Sequence, residues 1–486
     1  TADRGQNSSP FSSWLLTIQI EANAHLMDQP LLLTHPRPII TATISKSNKT
    51  TTSSLTFRTT HFNVQLICLF SLLFHCGWSI WERNIFPVWL VNSLNTTDAQ
   101  AKQTLGFIQT IQGITALIVG PMIGTLVDTI QTTNAFRWFQ MAVVVEGLVA
   151  LTVVGYSIYN NHTNWVLYVA MSLWGTLLSG QGILVETLIA RSTTKGKERT
   201  FGFTLKSTWW RCGNAIGQLI NVGVLYFVGN NWTPTVLRFV MLVGIALLYI
   251  PVVLLGCLRP LVEHTEVGET GGEDAGGKDA AAEETGATEK AGNALRRQSC
   301  CSCCRPPWII FVAVLLRVIG KGSSMKFIPI YFEQVYNVSP MTLTLLALAA
   351  QCCSIFSPFG CLYLSRIIGR APTMVFVRCV EPVCFLIFAW SNNVYVCGCA
   401  FVCFLSIPVG TRSIEKAVLN DYAMKKRRAR WNALETINRG TWSGSATLGG
   451  YLAALTNGWQ LLFSFAAGSV GSAVLVLSLL LGVVRN

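Results

Sequence analysis

Twelve stretches of mainly apolar residues, each of about twenty residues or more, punctuate this 486-residue chain and leave few folds open to it. A bilayer core about 30 Å thick takes about 20 apolar residues of helix to cross. Lipid offers the backbone no hydrogen-bond partner, so a spanning segment of this length closes its own bonds as an α-helix. Six stretches fall at 63–91, 104–127, 138–158, 164–189, 201–228 and 235–257. Six more fall at 308–332, 340–364, 373–391, 394–417, 432–456 and 459–484. The expected fold is an all-α membrane protein whose twelve transmembrane helices form two six-helix bundles, 62–258 and 308–486. Composition agrees, since 51% of residues are hydrophobic and only 12% charged, about half the charged share of a soluble domain.

The segments outside these stretches have a different character. Residues 1–61 are rich in Ser, Thr, Asn and Pro, with apolar runs such as Trp14 to Ile20 that are too short to span. They read as a disordered cytoplasmic tail. No basic, apolar, small-residue leader pattern opens the chain, so insertion is expected to rest on the first membrane helix. Residues 259–307 are crowded with Gly, Ala and Glu and read as a mobile cytoplasmic linker between the bundles. Its Cys300, Cys301, Cys303 and Cys304 lack the spacing of a zinc site and have no His close by, so S-palmitoylation is the better reading. Most of the 16 cysteines lie within apolar stretches, where they act as small hydrophobes rather than as a disulfide framework.

Charge placement gives an orientation. The net charge of +13 is dispersed between apolar blocks, which argues against a continuous nucleic-acid footprint and for helices oriented by basic loops. Even-numbered connections carry the basic residues, among them Arg191 and Lys195, Arg296 and Arg297, Arg366 and Arg370, and Lys425 to Arg428. Those connections, and both termini with them, are expected on the cytoplasmic side. Asn-x-Ser/Thr acceptors at Asn95, Asn161, Asn231 and Asn337 fall in odd-numbered connections, as glycosylation on the opposite side requires.

Between the second and third stretches the chain reads Gly120-Pro-Met-Ile-Gly124-Thr-Leu126-Val-Asp128, followed by Arg137. Between the eighth and ninth it reads Ser365-Arg366-Ile-Ile-Gly369-Arg370. The pair resembles the Gly-x-Leu-Ala-Asp-Arg-x-Gly-Arg signature of the major facilitator superfamily, found at equivalent places in its two halves. The match is partial: Thr129 stands where an Arg belongs, and the first copy lacks the Gly-Arg pair. Two basic entrances leading into Gly-spaced helices, Arg199 to Gly217 and Arg430 to Gly450, echo one another, and the second resembles the corresponding stretch of bacterial multidrug-type and of uncharacterised eukaryotic facilitators. Gly120 and Gly124, four apart, are expected to let a neighbouring helix approach closely. The resemblance implies that Asp128, with Arg137, Arg366, Gly369 and Arg370, forms a latch for the outward-facing state, and Glu186, one turn from the cytoplasmic end of the fourth helix, is expected to join it.

Ionisable groups deep in a bilayer are costly and usually face protein or water. Arg317 and Lys321 lie about 14 Å and 20 Å into the seventh helix. Their i,i+4 spacing makes them repel unless an anion or an acidic side chain lies between. Gly320, Gly322 and Pro329 around them invite local unwinding, and the resemblance makes the seventh helix a cavity-lining one. These two, with Arg211 about 15 Å into the fifth helix and Gln181, are the candidate substrate-binding residues. Lys326 ranks below them, because its depth along a straight helix puts it near the far interface. The alternative for Arg317 and Lys321, pairing with Glu side chains to hold the fold, stays open. His75 and Glu82 stack seven apart on the first helix beside Arg83 and are candidates for carrying a coupling proton. The alternative is packing for His75 and an interfacial pair for Glu82 and Arg83. Glu146, and the Arg378 and Glu381 pair, are read as structural.

The sequence holds no phosphate-cradling loop, nucleophile elbow or metalloprotease motif, so neither an enzyme nor an ATP-driven pump is expected, and no cofactor or metal. The expected function is secondary transport of a small-molecule substrate by rocking of two halves, the positive cavity favouring an organic or inorganic anion with proton coupling. Efflux of amphipathic drugs and a non-transporting receptor that docks partners through its linker remain the alternatives. The expected setting is a monomer in the bilayer of a eukaryotic plasma membrane or endomembrane, with no nucleic-acid partner.

Overall fold

The computed structural model describes residues 62–94, 96–130, 132–160, 165–193, 197–259, 306–422, 437–438 and 440–482, and among these the regular structure is helical, without strands. The N-terminal tail, the linker with its cysteine cluster, Asn95, Asn161 and the basic run 425–430 lie outside the described residues, as does the side chain of Asp128.

Among the described residues, each expected span falls on helix. The first crossing is α1 (Phe62–Trp81) and α2 (Ile85–Ser93), followed by α3 (Asp98–Thr129), α4 (Thr133–Tyr159), α5 (Trp165–Ser192), α6 (Lys197–Val228) and α7 (Pro234–Gly256). The seventh crossing is α8 (Pro306–Met325) and α9 (Ile328–Tyr336), and the eighth is α10 (Pro340–Ile368). The ninth is α11 (Arg370–Arg378) and α12 (Val380–Trp390), and the tenth is α13 (Val394–Ser406) and α14 (Thr411–Tyr422). The described part of the eleventh includes α15 (Ala446–Ala453), and α16 (Gly458–Ser478) is the twelfth. Ten of the described crossings are long and apolar enough to span a membrane on their own. The more polar α6 packs between α1 and α10, so its Asn214, Gln218 and Asn221 are buried against protein rather than lipid.

The breaks in the first and seventh crossings share a cause. Proline lacks an N–H and its ring clashes with the carbonyl four residues back. Pro329 places that conflict at Met325, where α8 stops, and Pro87 places it at Arg83, in the turn that separates α1 from α2. Gly320 and Gly322, expected to unwind the seventh helix, instead lie within α8 as contact positions against α16 and the eleventh crossing. Elsewhere side-chain caps start the helices: Thr97, Thr132, Ser339 and Asn393 each accept from a backbone N–H of the first turn.

Packing repeats from one half to the other. In the first half α1 lies on α7, α3 on α5, and α4 on α5 and α7; in the second α8 lies on α16, α10 on α13, and α12 on α13 and α16. Small residues permit the closest approaches. A Cβ on Gly175 would run into the Gln112 carbonyl, and one on Gly449 into the Ser323 carbonyl. Gly124, by contrast, has open space where a Cβ would go, which corrects the expectation of a close helix contact there.

The halves meet along α3 with α15 and along α6 with α10, and α9 touches α2. Thr110 donates to the carbonyls of Ser443 and Gly444 at 3.3 and 3.1 Å. At the end bearing the odd-numbered connections, four hydrogen bonds among the described residues join the halves. Asn92 donates to Glu333 at 2.8 Å, Gln334 to Asp98 at 2.8 Å, Trp232 to the Val338 carbonyl at 2.7 Å, and the Met341 N–H to Asn230 at 3.0 Å. That end is closed.

Candidate functional site

The two helix breaks face each other between the halves. Glu82 and Lys326 each stand directly after the first helix of their crossing, α1 and α8, and so at the matching break of each half. The Lys326 ammonium donates to the Glu82 carboxylate at 2.7 Å, and the glutamate is only 2% exposed. Glu82 Oε1 also takes the Gln112 amide at 3.5 Å, while Oε2 accepts from the indole of Trp174 at 3.2 Å and from that of Trp78. A carboxylate in low dielectric is stable only when its lone pairs are met in this way. Phe74 stacks on Trp174 and Trp81 meets its edge, so an aromatic wall keeps the carboxylate from bulk solvent.

Around this pair the polar groups converge from several helices. Arg83, half-buried in the same break, lies within electrostatic reach of Glu82 and of Arg412 in the other half. The Arg412 guanidinium is 6.0 Å from the Trp210 ring, whose other neighbour is His75 at 5.1 Å. His75 Nδ1 is 2.8 Å from the Ser71 carbonyl; a carbonyl only accepts, so that nitrogen carries the proton and is committed to its own helix. From α6, Arg211 reaches across to the Ser354 carbonyl of α10, and Gln218 bridges Asn84 and the Ser79 carbonyl beside the break.

Two similar halves, each opening on a broken helix that brings one member of a charged pair to their junction, is an arrangement suited to alternating access. The sequence model of the Major Facilitator Superfamily matches residues 67–411. The chain belongs to that superfamily. No curated protein matches it by sequence. Solved facilitator structures do match in fold. The nucleoside transporter NupG, in a mutant form, superposes with a TM-score of 0.60 at 12% identity, covering 85% of this chain and 98% of that one. The xylose transporter XylE from E. coli gives 0.58 at 11% identity, covering 85% and 98%. The human organic anion transporter MFSD10 (TETRAN) gives 0.54 at 12% identity, again over 85% and 98%. At such identities the likeness is one of fold. This facilitator is a multi-pass membrane transporter of a small solute rather than an enzyme.

The structure separates the basic residues of the seventh crossing into two groups. Arg317 pairs with Glu415 at 3.3 Å and Lys321 with Glu381 at 3.0 Å, inside the second half. Arg378 bridges both carboxylates, at 2.9 Å to Glu381 and 2.7 Å to Glu415. The expected counter-charge is therefore present, as a five-member network with a small cavity beside it lined by Ala313, Val314 and Leu477. Lys326 departs from the expectation of an interfacial position. Pro329 ends α8 before it, so the side chain turns inward to Glu82 rather than continuing along a straight helix to the surface. Gln181 lies seven residues beyond Trp174 on α5, hence on the same face and about 10 Å along the helix. Its amide donates to the Leu178 carbonyl at 3.4 Å.

Of the residues expected at the latch, Glu186 pairs with Lys206 at 3.5 Å within the first half. Arg137, Arg366 and Arg370 are exposed, and Gly369 holds a φ of +93° that favours glycine at the turn between α10 and α11. Sequence reasoning did not single out Gln112, Trp174, Trp210 or Glu415. Glu415 carried a signal, a carboxylate in an apolar stretch, whereas the others look like ordinary helix residues until α3, α5 and α6 are packed around the break.

Proposed function

We propose that this facilitator carries a small organic or inorganic anion together with a proton, by rocking of its two halves about the junction of the broken helices. The observation that supports the reading is the buried Glu82 and Lys326 pair, which joins the halves beneath the closed odd-numbered end. Protonating Glu82 removes the negative partner of Lys326. An anionic substrate group can then take its place, so proton and anion load together and no net charge is added to the low-dielectric centre. Without either, the ammonium and carboxylate hold each other and the junction stays shut. Arg83 and Lys326 outnumber Glu82 at the break, which favours an anion over a cation. Gln181 lies on the helix face that leads from Trp174 toward the even-numbered end and serves as a further polar contact. Arg317 and Lys321, whose charges are met by Glu415 and Glu381, hold the second half together in this reading.

The test is uptake of labelled phosphate and of mono- and dicarboxylates into proteoliposomes, with and without an inward proton gradient. The gradient should stimulate accumulation of at least one anion, and Glu82→Gln should lose that stimulation while keeping solute exchange. Transport of neutral or cationic amphiphiles without any anion would replace this reading with drug efflux.

A further inference from the structure

Gln109 is fully buried on α3, and neither its amide oxygen nor its amide nitrogen has a protein hydrogen-bond partner. Leaving such a group unmet in a protein interior is costly, a cost that a chain rich in Leu and Ile at neighbouring positions could avoid with an apolar side chain. The direction in which Gln109 faces follows from its neighbours. Three residues along, Gln112 reaches Glu82. On the other flank Gly106, Thr110 and Gly113 pack on the eleventh crossing of the second half. At 100° per residue Gln109 lies between these two ridges, and so points into the junction of the halves beside the Glu82 and Lys326 pair. Gln112 adds a second buried acceptor, its Oε1, also without a protein partner.

We propose that Gln109 is a specificity-determining residue that reads an uncharged hydroxyl or amide group on the cargo, its amide donating one hydrogen bond and accepting another. The level of Gln109 is three residues, about 4.5 Å, from that of Gln112. The group it reads therefore sits a few bonds from the end of the cargo held at Lys326. The favoured substrates are hydroxylated or amide-bearing acids rather than plain ones. The charged end of this description rests on the anion reading above; the hydroxyl or amide end does not.

The experiment uses full-length protein in proteoliposomes and matched solutes that differ by one hydroxyl: malate against succinate, 3-hydroxyglutarate against glutarate, and the neutral pair ribose against 2-deoxyribose. The wild type should favour the hydroxylated member of at least one pair by about three- to tenfold, the range of a single neutral hydrogen bond. Gln109→Met, which keeps the length of the side chain, should bring that ratio close to one. Gln109→Asn keeps the amide but draws it back by one carbon, and should lower the ratio as well, which guards against a folding defect in the Met variant. Discrimination confined to the sugar pair, and lost in the variants, would uphold the role of Gln109 while removing the anion reading. A wild type that discriminates within no pair, or variants with an unchanged ratio, would overturn the inference.

Discussion

Glu82 and Lys326 each stand directly after the helix that opens the matching crossing of their half, and they meet at 2.7 Å with opposite charge. The pair joins the two halves directly, and in the reading proposed above it couples local electrostatics to their relative orientation.

That coupling is measurable by a double-mutant cycle. Glu82→Gln and Lys326→Met should each destabilise the protein by about 3–5 kcal/mol, because each strands a buried charge or its donors. The double variant should be less destabilised than the sum, with an interaction of about 1–3 kcal/mol. Thermal unfolding in detergent gives all four values; strict additivity would mean that the two side chains do not depend on each other.

The second charge cluster should behave as a fold-holding unit. Arg378 serves both Glu381 and Glu415, whereas Lys321 serves Glu381 alone. Arg378→Leu should therefore lower stability by about 3–5 kcal/mol, and Lys321→Met by clearly less, since Arg378 still meets Glu381. Equal losses in the unfolding midpoints would contradict this ranking.

Two glycines should respond in opposite ways to alanine. Gly449→Ala drives a methyl group into the Ser323 carbonyl and should cost about 1–3 kcal/mol. Gly124→Ala meets nothing within 4 Å and should be neutral or slightly stabilising, as alanine is the better helix former. Unfolding curves of the two variants check both.

The closed end should be lockable. Cysteines placed at Asn92 and Glu333, whose longer side chains meet at 2.8 Å, should be bridged by a short, reducible bis-methanethiosulfonate cross-linker in a background without other accessible cysteines. Transport should stop on cross-linking and return on reduction. Uninterrupted transport in the cross-linked protein would show that this end need not open.

The crossings were legible because length and apolarity are local properties, and lipid leaves a twenty-residue apolar segment only one way to satisfy its backbone. The site was legible in its charges but not in its pairings. Arg317 and Lys321 demanded a counter-charge by their spacing, yet Glu415 comes from the tenth crossing, 98 residues away. Lys326 was misplaced because depth was counted along an unbroken helix, whereas the clash of Pro329 with the Met325 carbonyl ends α8 one residue earlier. Glu82 and Lys326 are 244 residues apart, and their meeting depends on how two separately packed halves dock, which no local pattern encodes.

The most direct test of the account is the distance between spin labels at Asn230 and Met341, which lie on opposite halves at the closed end, in lipid nanodiscs near neutral pH. The wild type should give mainly the short distance, because the Glu82 and Lys326 pair holds that end shut. Glu82→Gln, which stands in for the protonated carboxyl, should shift a substantial population to a longer distance. Identical distance distributions in the two proteins would contradict the claim that this pair governs the opening of the transporter.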